Sequence, residues 1–305
     1  MRFFSSKMRQ RQDIALAASL TPMRQALRRL RHNRAAMSAL IFLLLLIAVC
    51  LAGPWFSSWQ LDTTNALQSR QAPSMDHWLG TDFLGRDVLT RLMYAGRISL
   101  TVGLISVVLS VALGFVAGAL SGYCGGWIDS LIMRVADLLM TIPSLPLLIA
   151  LGALLSELKI EPEIRIYMVM LMLSLIGWPG LARMVRGQIL SLRERDFMLA
   201  TEVLGLSLRR RLFGHLLPNT VPILLVVATT GVAGAILGEA SLSYLGLGVV
   251  PPTPSWGNMM DSANSFIDFK RRPWLWMPPG MAIFLTVIAI NVLGDGMRDA
   301  LDPKS

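Results

Sequence analysis

The sequence predicts an all-α membrane protein in which six transmembrane helices form one bundle. Of its 305 residues 54% are hydrophobic and only 15% are charged, whereas soluble domains are about 25% charged. Long runs of Leu, Ile, Val, Ala and Met reach the ~20 residues that a helix needs to cross the hydrocarbon core. The sequence lacks the ~10-residue alternating segments of an outer-membrane barrel, so helices are the predicted spanning element.

Six segments are long and apolar enough to be spans, beginning with AAMSALIFLLLLIAVCLA after a basic leader. The predicted spans are 36–53, 98–121, 131–155, 166–186, 219–245 and 277–297. The last five form a core domain, 98–297, to which the first span is added at the N-terminal side.

The segments between the spans complete the predicted organisation. A basic N-terminal segment, 1–35, precedes the first span, and the loop 54–97 is predicted to carry an amphipathic helix. A link at 187–218 and a Pro- and Trp-rich loop at 246–276 interrupt the core. The tail 298–305 follows the last span.

The distribution of positive charge predicts the orientation. Nineteen of the 28 Lys and Arg residues lie in the leader, in the 183–218 region and at other positions on the same predicted side. Loops rich in Lys and Arg stay in the cytoplasm. We therefore predict a bacterial inner-membrane protein with both termini and the 187–218 link in the cytoplasm, and place 54–97 and 246–276 outside.

Small residues and prolines within the spans predict how the helices meet. Glycines spaced four residues apart allow helix backbones to approach closely in lipid. This spacing occurs in two spans, at Gly114, Gly118 and Gly122 and at Gly234 and Gly238. Pro143 and Pro146 remove backbone donors from the third span and predict a kink.

Charged residues inside spans are costly and therefore informative. Arg134 and Asp137 are three residues apart, which predicts an ion pair within one helix. Glu239 lies deep in the fifth span with Ser241 and Ser243 beside it. The three residues could line a polar translocation path, or Glu239 could bind a neighbouring helix; the sequence leaves both open.

No motif in the sequence indicates catalysis or a cofactor. The sequence lacks three motifs: GxSxG, HExxH and the phosphate-binding GxxxxGK[ST]. The two cysteines, Cys50 and Cys124, are predicted near opposite membrane faces, too far apart for a disulfide. We therefore predict a chain that is not an enzyme, holds no metal and cannot itself bind ATP.

The link contains two short helical patterns separated by a glycine. Phe197, Ala200, Val203 and Leu204 form an apolar stripe, and Gly205 is placed to end that helix. Ser207 is a suitable N-cap for a second helix, and Pro218 suits the first turn of the next span. Such a pair could lie on lipid or dock into a groove of a soluble partner.

The link resembles the coupling loop of ATP-binding-cassette importer permeases, in which an acid-Ala-Ala triplet is followed by a glycine and a Leu-Pro pair. Gly205 and Leu217-Pro218 match this pattern. The position of the triplet is occupied by Leu199-Ala200-Thr201. The acid, Glu202, stands one position after these three residues instead of within them. Further stretches resemble the dipeptide and oligopeptide branch, and the C-type oligopeptide subunit in particular. They are LGTDFLGRDVLTRLMYAGRISL, SGYCGGWIDSLIMR, ARMVRGQILSL, EASLSYLGLG, PPTPSWG and GDGMRDALDPK.

The resemblance implies a permease that imports oligopeptides together with a second, related permease, two cytoplasmic ATPases that bind ATP and magnesium, and an external substrate-binding protein. The contact with the ATPases would be made by Ala200, Thr201, Glu202, Gly205, Ser207, Arg209, Arg210, Leu217 and Pro218. The same machinery could import dipeptides, nickel or glutathione. A self-sufficient ion-coupled carrier that uses Glu239 is the competing interpretation from a different class.

Overall fold

A computed structural model describes residues 22–301 except 212, 213 and 215. For eight of these residues (22–25, 199, 202, 208 and 209) it describes the backbone and not the side chain. Within these ranges the chain forms no β-strand, and one isolated bridge joins Thr81 to Asp87. The α-helices are α1 Pro22–His32, α2 Arg34–Phe56, α3 Val88–Cys124, α4 Gly126–Thr141, α5 Ser144–Glu157, α6 Pro162–Arg193, α7 Asp196–Val203, α8 Leu208–Arg211, α9 Leu217–Tyr244, α10 Trp256–Met259, α11 Phe266–Arg271 and α12 Met277–Leu301. The predicted all-α fold is confirmed.

Five of these helices, α2, α3, α6, α9 and α12, are each long and apolar enough to cross a membrane. The third predicted span is instead broken into α4 and α5, which meet at 87°. The break falls at Ile142 and Pro143, both with extended backbone. A proline disfavours helical conformation in the residue before it, so Pro143 accounts for a sharp bend where the sequence predicted a kinked helix.

The contacts between the helices place their ends at two sides of the bundle. Residues near 34, 124, 193, 217 and 301 lie together at one side, which we call the basic end because Arg34, Arg193 and Arg298 mark it. The segments 57–87 and 245–276 meet at the opposite side and form what we call the lobe. This arrangement is consistent with the prediction that successive spans cross the membrane in opposite directions.

The most extensive helix–helix contact among the described residues joins α3 to α6 along a row of glycines. A Cβ atom at Gly114 would stand 2.6 Å from the Leu181 Cβ, and one at Gly118 would stand 2.4 Å from the Ala182 carbonyl oxygen. At Gly122 a Cβ would meet the Arg186 carbonyl oxygen at 2.9 Å. Only glycine permits this approach, and the close packing predicted for the second span is confirmed.

The glycines of the fifth span have a different role. Gly234 has no neighbouring atom within 4 Å of the position that a Cβ would take, and at Gly238 the nearest atom is the end of the flexible Leu173 side chain. The prediction of close backbone contact at this pair was wrong, because this face of α9 borders open space instead of another helix.

The last turn of α2 depends on an arginine from α3. Pro54 has no N–H and therefore cannot donate to the carbonyl of Cys50, four residues earlier. Arg97 supplies the missing donor, with its Nε 2.8 Å from the Cys50 carbonyl oxygen, and its Nη2 also reaches the Leu51 carbonyl. A cationic side chain thus satisfies the backbone group that the proline left unpaired.

The lobe begins with a capped helix. The Asp87 carboxylate accepts a hydrogen bond from the Thr90 N–H at 2.7 Å and so N-caps α3, while its other oxygen lies 3.0 Å from Nδ1 of the buried His77. The amphipathic helix predicted within the loop 54–97 is the first part of α3 and is continuous with the second span.

Trp256 lies at the centre of the contact between the lobe and the bundle. Its side chain is fully buried, and its indole N–H donates to the Leu92 carbonyl at 3.1 Å. It packs against Ala95 and Cys50 inside the fold, whereas tryptophans of membrane proteins are often enriched at the membrane interface.

Candidate functional site

Two ion pairs fix α4 against α6 near the basic end. Arg186 binds Asp129 through two parallel hydrogen bonds of 2.6 Å, the bidentate geometry that suits a guanidinium and a carboxylate. Arg183 also pairs with Asp137 across the two helices, through one hydrogen bond from its Nη2 to Oδ1. The predicted pair between Arg134 and Asp137 was therefore wrong, since the partner of Asp137 comes from a helix distant in sequence.

The link between α6 and α9 contains the predicted glycine hinge. Helix α7 ends at Val203, and Gly205 follows with a φ of +65°, the left-handed conformation that favours glycine. The Leu206 N–H donates to the Thr201 carbonyl at 3.1 Å, and the Leu204 N–H donates to the Ala200 carbonyl at 3.0 Å. A six-residue closure of this kind is a Schellman motif, and the predicted helix end is confirmed.

After the hinge the chain forms the single turn α8. The Arg211 N–H donates to the Ser207 carbonyl at 3.0 Å, so α8 starts where the sequence predicted a cap. Leu212 and Phe213, which the prediction included in this helix, lie outside the described residues. Arg211 ties the turn to the bundle: its Nε donates to the Leu206 carbonyl at 2.9 Å, and its guanidinium lies 5.6 Å from the Tyr123 ring centroid.

The two faces of α7 differ sharply. Met198 and Thr201 are buried, and Met198 packs with Ile189 and Leu192 of α6. On the opposite side Val203 is 88% exposed and Leu204 is 75% exposed. The segment 196–211, which we call the coupling loop after the sequence pattern that it resembles, is thus held to the bundle by one face and presents apolar side chains beside the hinge.

The remaining residues predicted for this contact lie along the same segment. Ala200, Ser207 and Arg210 are exposed, whereas the side chains of Glu202 and Arg209 are outside the part of the chain that the structure describes. Leu217 packs partly against the core, and Pro218 is exposed in the first turn of α9. Thr201 is the exception, because its buried hydroxyl donates to the Met198 carbonyl at 2.7 Å.

Glu239 is completely buried and joins three parts of the chain. The Ser99 hydroxyl of α3 donates to its Oε2 at 2.8 Å, and the Ser243 hydroxyl donates to its Oε1 at 2.7 Å. Both serines also accept backbone N–H groups from the lobe, from Trp256 at 3.1 Å and from Val249 at 2.8 Å. The carboxylate therefore anchors the lobe to the bundle through two serine relays.

Ser241 lies apart from this network. Its hydroxyl donates to the Leu237 carbonyl of its own helix, and its side chain lines a cavity of about 550 Å³ between α3, α5, α6 and α9. Gly234 and Gly238 line the same cavity. Of the three residues predicted for a translocation path, Ser241 faces open space, while Glu239 and Ser243 are engaged in the buried network.

Sequence reasoning missed several of these partners. Ser99 lies in an apolar run in which nothing distinguishes it from the other serines of α3. Asp129 and Arg186 are 57 residues apart, and only the packing of α4 on α6 joins them. In the part of the chain that the structure describes, no group of three or more His, Cys, Asp or Glu residues could hold a metal ion.

Comparison with known proteins assigns this architecture to a family. Residues 110–305 match the family model described as the binding-protein-dependent transport system inner membrane component. Residues 21–73 match the N-terminal transmembrane domain of oligopeptide transport permease C.

Similar proteins cover almost the whole chain. A Brucella suis protein named as a peptide permease is 44% identical over 291 residues, which span 95% of this chain and 94% of that protein. The oligopeptide transport system permease protein OppC of Bacillus subtilis is 40% identical over 94% of this chain and 91% of its own length. The glutathione transport system permease protein GsiD of Shigella dysenteriae is 39% identical, with coverages of 93% and 91%. The chain therefore belongs to the inner-membrane permeases of ATP-binding-cassette importers, in the branch that transports dipeptides and oligopeptides.

Proposed function

We propose that the chain is the permease subunit of an oligopeptide importer and that its coupling loop receives the motion of cytoplasmic ATPases. Val203 and Leu204 carry this proposal. They are apolar and largely exposed, and they lie beside the one left-handed glycine of the coupling loop. An amphipathic helix that presents apolar side chains from a rigid turn is a common element of helix-in-groove recognition.

The position of α7 favours a soluble partner over the lipid surface. Charged pairs are costly in hydrocarbon, so the Arg183–Asp137 pair marks the polar boundary of the bundle. Helix α6 continues for ten residues beyond Arg183, which is about 15 Å along its axis. The headgroup layer on each side of a membrane is only about 5–8 Å thick. Helix α7 follows the end of α6 and so lies beyond the depth of the headgroups.

The proposed assembly follows from this arrangement. The basic end and both termini face the cytoplasm, where two ATPases bind ATP and magnesium; the lobe faces outwards to a substrate-binding protein. A second, related permease completes the path, and Ser241 with its neighbouring glycines supplies part of the path wall from this chain. Oligopeptides are the proposed substrate. Dipeptides and glutathione are the alternatives, since relatives named for oligopeptide and for glutathione transport are almost equally similar.

Substitution of the hinge glycine tests the coupling. Gly205→Asp places a charge beside the apolar contact, and we expect loss of ATP-driven uptake of a tripeptide together with loss of co-purifying ATPases. Gly246→Asp is a matched control, because Gly246 has a φ of +72° with nothing within 4 Å and ends α9 through the same closure, in which the Leu247 N–H donates to the Leu242 carbonyl at 2.8 Å, but it lies in the lobe, at the opposite side of the bundle. Equal effects of the two substitutions, or normal uptake by Gly205→Asp, would contradict the proposal.

A second measurement separates the importer from the ion-coupled carrier. The chain reconstituted alone in vesicles should transport no peptide, with or without a proton gradient, and uptake should require the ATPases and ATP. Gradient-driven uptake by the isolated chain that is lost in Glu239→Gln would support the carrier instead.

A further inference from the structure

The lobe contains a second cavity that the proposed mechanism does not use. It has a volume of about 560 Å³, within the range of about 300–1,000 Å³ that is usual for small-molecule sites. It opens between the segment before α3 and the segment after α9. Six charged side chains line it: Arg70, Asp82, Arg86, Arg91, Asp261 and Asp268.

Arg91 is the unusual group of this cavity. The residue is only 5% exposed, and its Nη1 makes no hydrogen bond. The nearest carboxylate oxygens lie beyond hydrogen-bond distance, at 3.6 Å from Nη1 for Asp62 and at 3.7 Å from Nε for Asp82. A buried donor of a charged group that is left without a partner costs about 1–3 kcal/mol or more, so the arrangement favours an additional acceptor.

Asp82 cannot supply that acceptor without losing other contacts. Its Oδ2 accepts from Arg86 Nε at 2.7 Å, and its Oδ1 accepts the backbone N–H groups of Leu84 and Arg86 at 2.8 and 3.0 Å. Asp62, the other neighbour, is 61% exposed at the surface. Arg91 lines the cavity, although its Nη1 is itself buried on the side of Asp62, which does not line it. A carboxylate that enters the cavity from outside would therefore approach an incompletely satisfied guanidinium, a group that binds carboxylates strongly.

The segment after α9 provides the opposite charge. Asp268 is buried and already pairs with Arg272 and, at 3.6 Å, with Arg70. Asp261 is exposed to the cavity, and its Oδ1 accepts a hydrogen bond of 2.8 Å from the Asn264 amide. The cavity thus has an under-satisfied cation in one segment and an accessible anion in the other, which suits a ligand that carries both charges.

We propose that this cavity binds a short zwitterionic peptide, with its terminal carboxylate on Arg91 and its ammonium group near Asp261. The proposal rests on the proposed function, because it identifies the cavity as an outward-facing contact for the imported peptide. It assigns to this chain a binding site separate from the cavity that Ser241 lines between the spans.

Binding of trialanine to the permease–ATPase complex in nanodiscs, without the substrate-binding protein, tests this site. We expect Arg91→Lys to weaken trialanine binding at least about tenfold, because a lysine keeps the charge but loses the planar fork. Trialanine amide, which lacks the carboxylate, should bind weakly and be insensitive to Arg91→Lys. Arg165→Lys is the matched control, since Arg165 is also 5% exposed and begins a span at the same end, but does not line the cavity.

The exposed Asp261 provides a second test that does not depend on a buried residue. Asp261→Asn should weaken binding of trialanine and leave N-acetyl-trialanine unaffected. The proposal is wrong if trialanine does not bind at millimolar concentration, or if neither Arg91→Lys nor Asp261→Asn changes its binding. It is also wrong if these variants leave trialanine binding unchanged and alter only the affinity of the complex for the substrate-binding protein, which is measured in a separate assay. ATP-driven peptide uptake by the complete complex is measured in parallel, so that an unused cavity is distinguished from a transporter that does not import peptides.

Discussion

Replacing Glu239 by glutamine should destabilise the fold by a predictable amount. The carboxylate accepts hydroxyl hydrogens from Ser99 and Ser243, and both serine oxygens already accept a backbone N–H from the lobe. A glutamine has one oxygen and one NH₂ group at the same place, so its amide hydrogens meet one of the two hydroxyls. That serine then loses the carboxylate oxygen to which its hydroxyl donates.

The expected cost is that of one unsatisfied buried donor, about 1–3 kcal/mol. Each kcal/mol lowers the midpoint of thermal unfolding by about 2–4 °C in a chain of this size class. We therefore expect Glu239→Gln to lower Tm by about 2–12 °C, and Glu239→Ala to lower it further because both hydrogen bonds are lost and a cavity remains.

The buried thiol of Cys50 can report thermal unfolding. Cys50 is buried and 3% exposed, whereas Cys124 is exposed, so a thiol-reactive dye in a Cys124→Ser background follows unfolding through Cys50 alone. Ser241→Ala is the control, since that hydroxyl bonds only within its own helix, and it should leave Tm unchanged. A Glu239→Gln variant with the Tm of the original protein but without transport would refute the anchoring role and return Glu239 to the translocation path.

Two further predictions use the same thermal assay. Gly118→Val should lower Tm by several degrees, because its Cβ would stand 2.4 Å from a carbonyl oxygen of α6 and overpacking of this kind costs up to about 3 kcal/mol; Gly234→Val, at a site without neighbours within 4 Å, should have little effect, and equal shifts would contradict the packing argument. Arg97→Ala should destabilise the end of α2 by about 1–3 kcal/mol, because the carbonyl that Pro54 cannot pair loses its donor. Adding Pro54→Ala should recover most of that loss by restoring a backbone N–H, and additive effects of the two substitutions would rule out the compensation.

Local features of the fold could be predicted from the sequence, whereas its long-range partners could not. Gly205 was identified as a helix end because the conformation that it adopts depends on a few neighbouring residues. Gly118 was identified as a packing position for the same kind of reason, yet the identical spacing at Gly234 borders a cavity. The glycine spacing makes close packing of two helices possible, and the position of the other helices determines whether that packing occurs.

The buried polar contacts show this limit most clearly. Asp137 has an arginine three residues away, but its partner Arg183 comes from another helix. The prediction for Glu239 correctly left a neighbouring helix open as the alternative to a polar path. No local signal identified Ser99 as the residue on that helix, since an apolar span with several serines gives each of them the same pattern.

Helix α3 connects the two ends of the molecule as one uninterrupted helix. It runs for 37 residues without a proline, which is about 55 Å. Its first turns carry Arg91 into the cavity of the lobe, and at its last turn the Tyr123 ring and carbonyl contact Arg211 and Arg193 beside the coupling loop. A tilt of about 5° pivoting at one end displaces the other by about 5 Å. If the coupling loop moves as proposed, a tilt of α3 would therefore change the width of the lobe cavity.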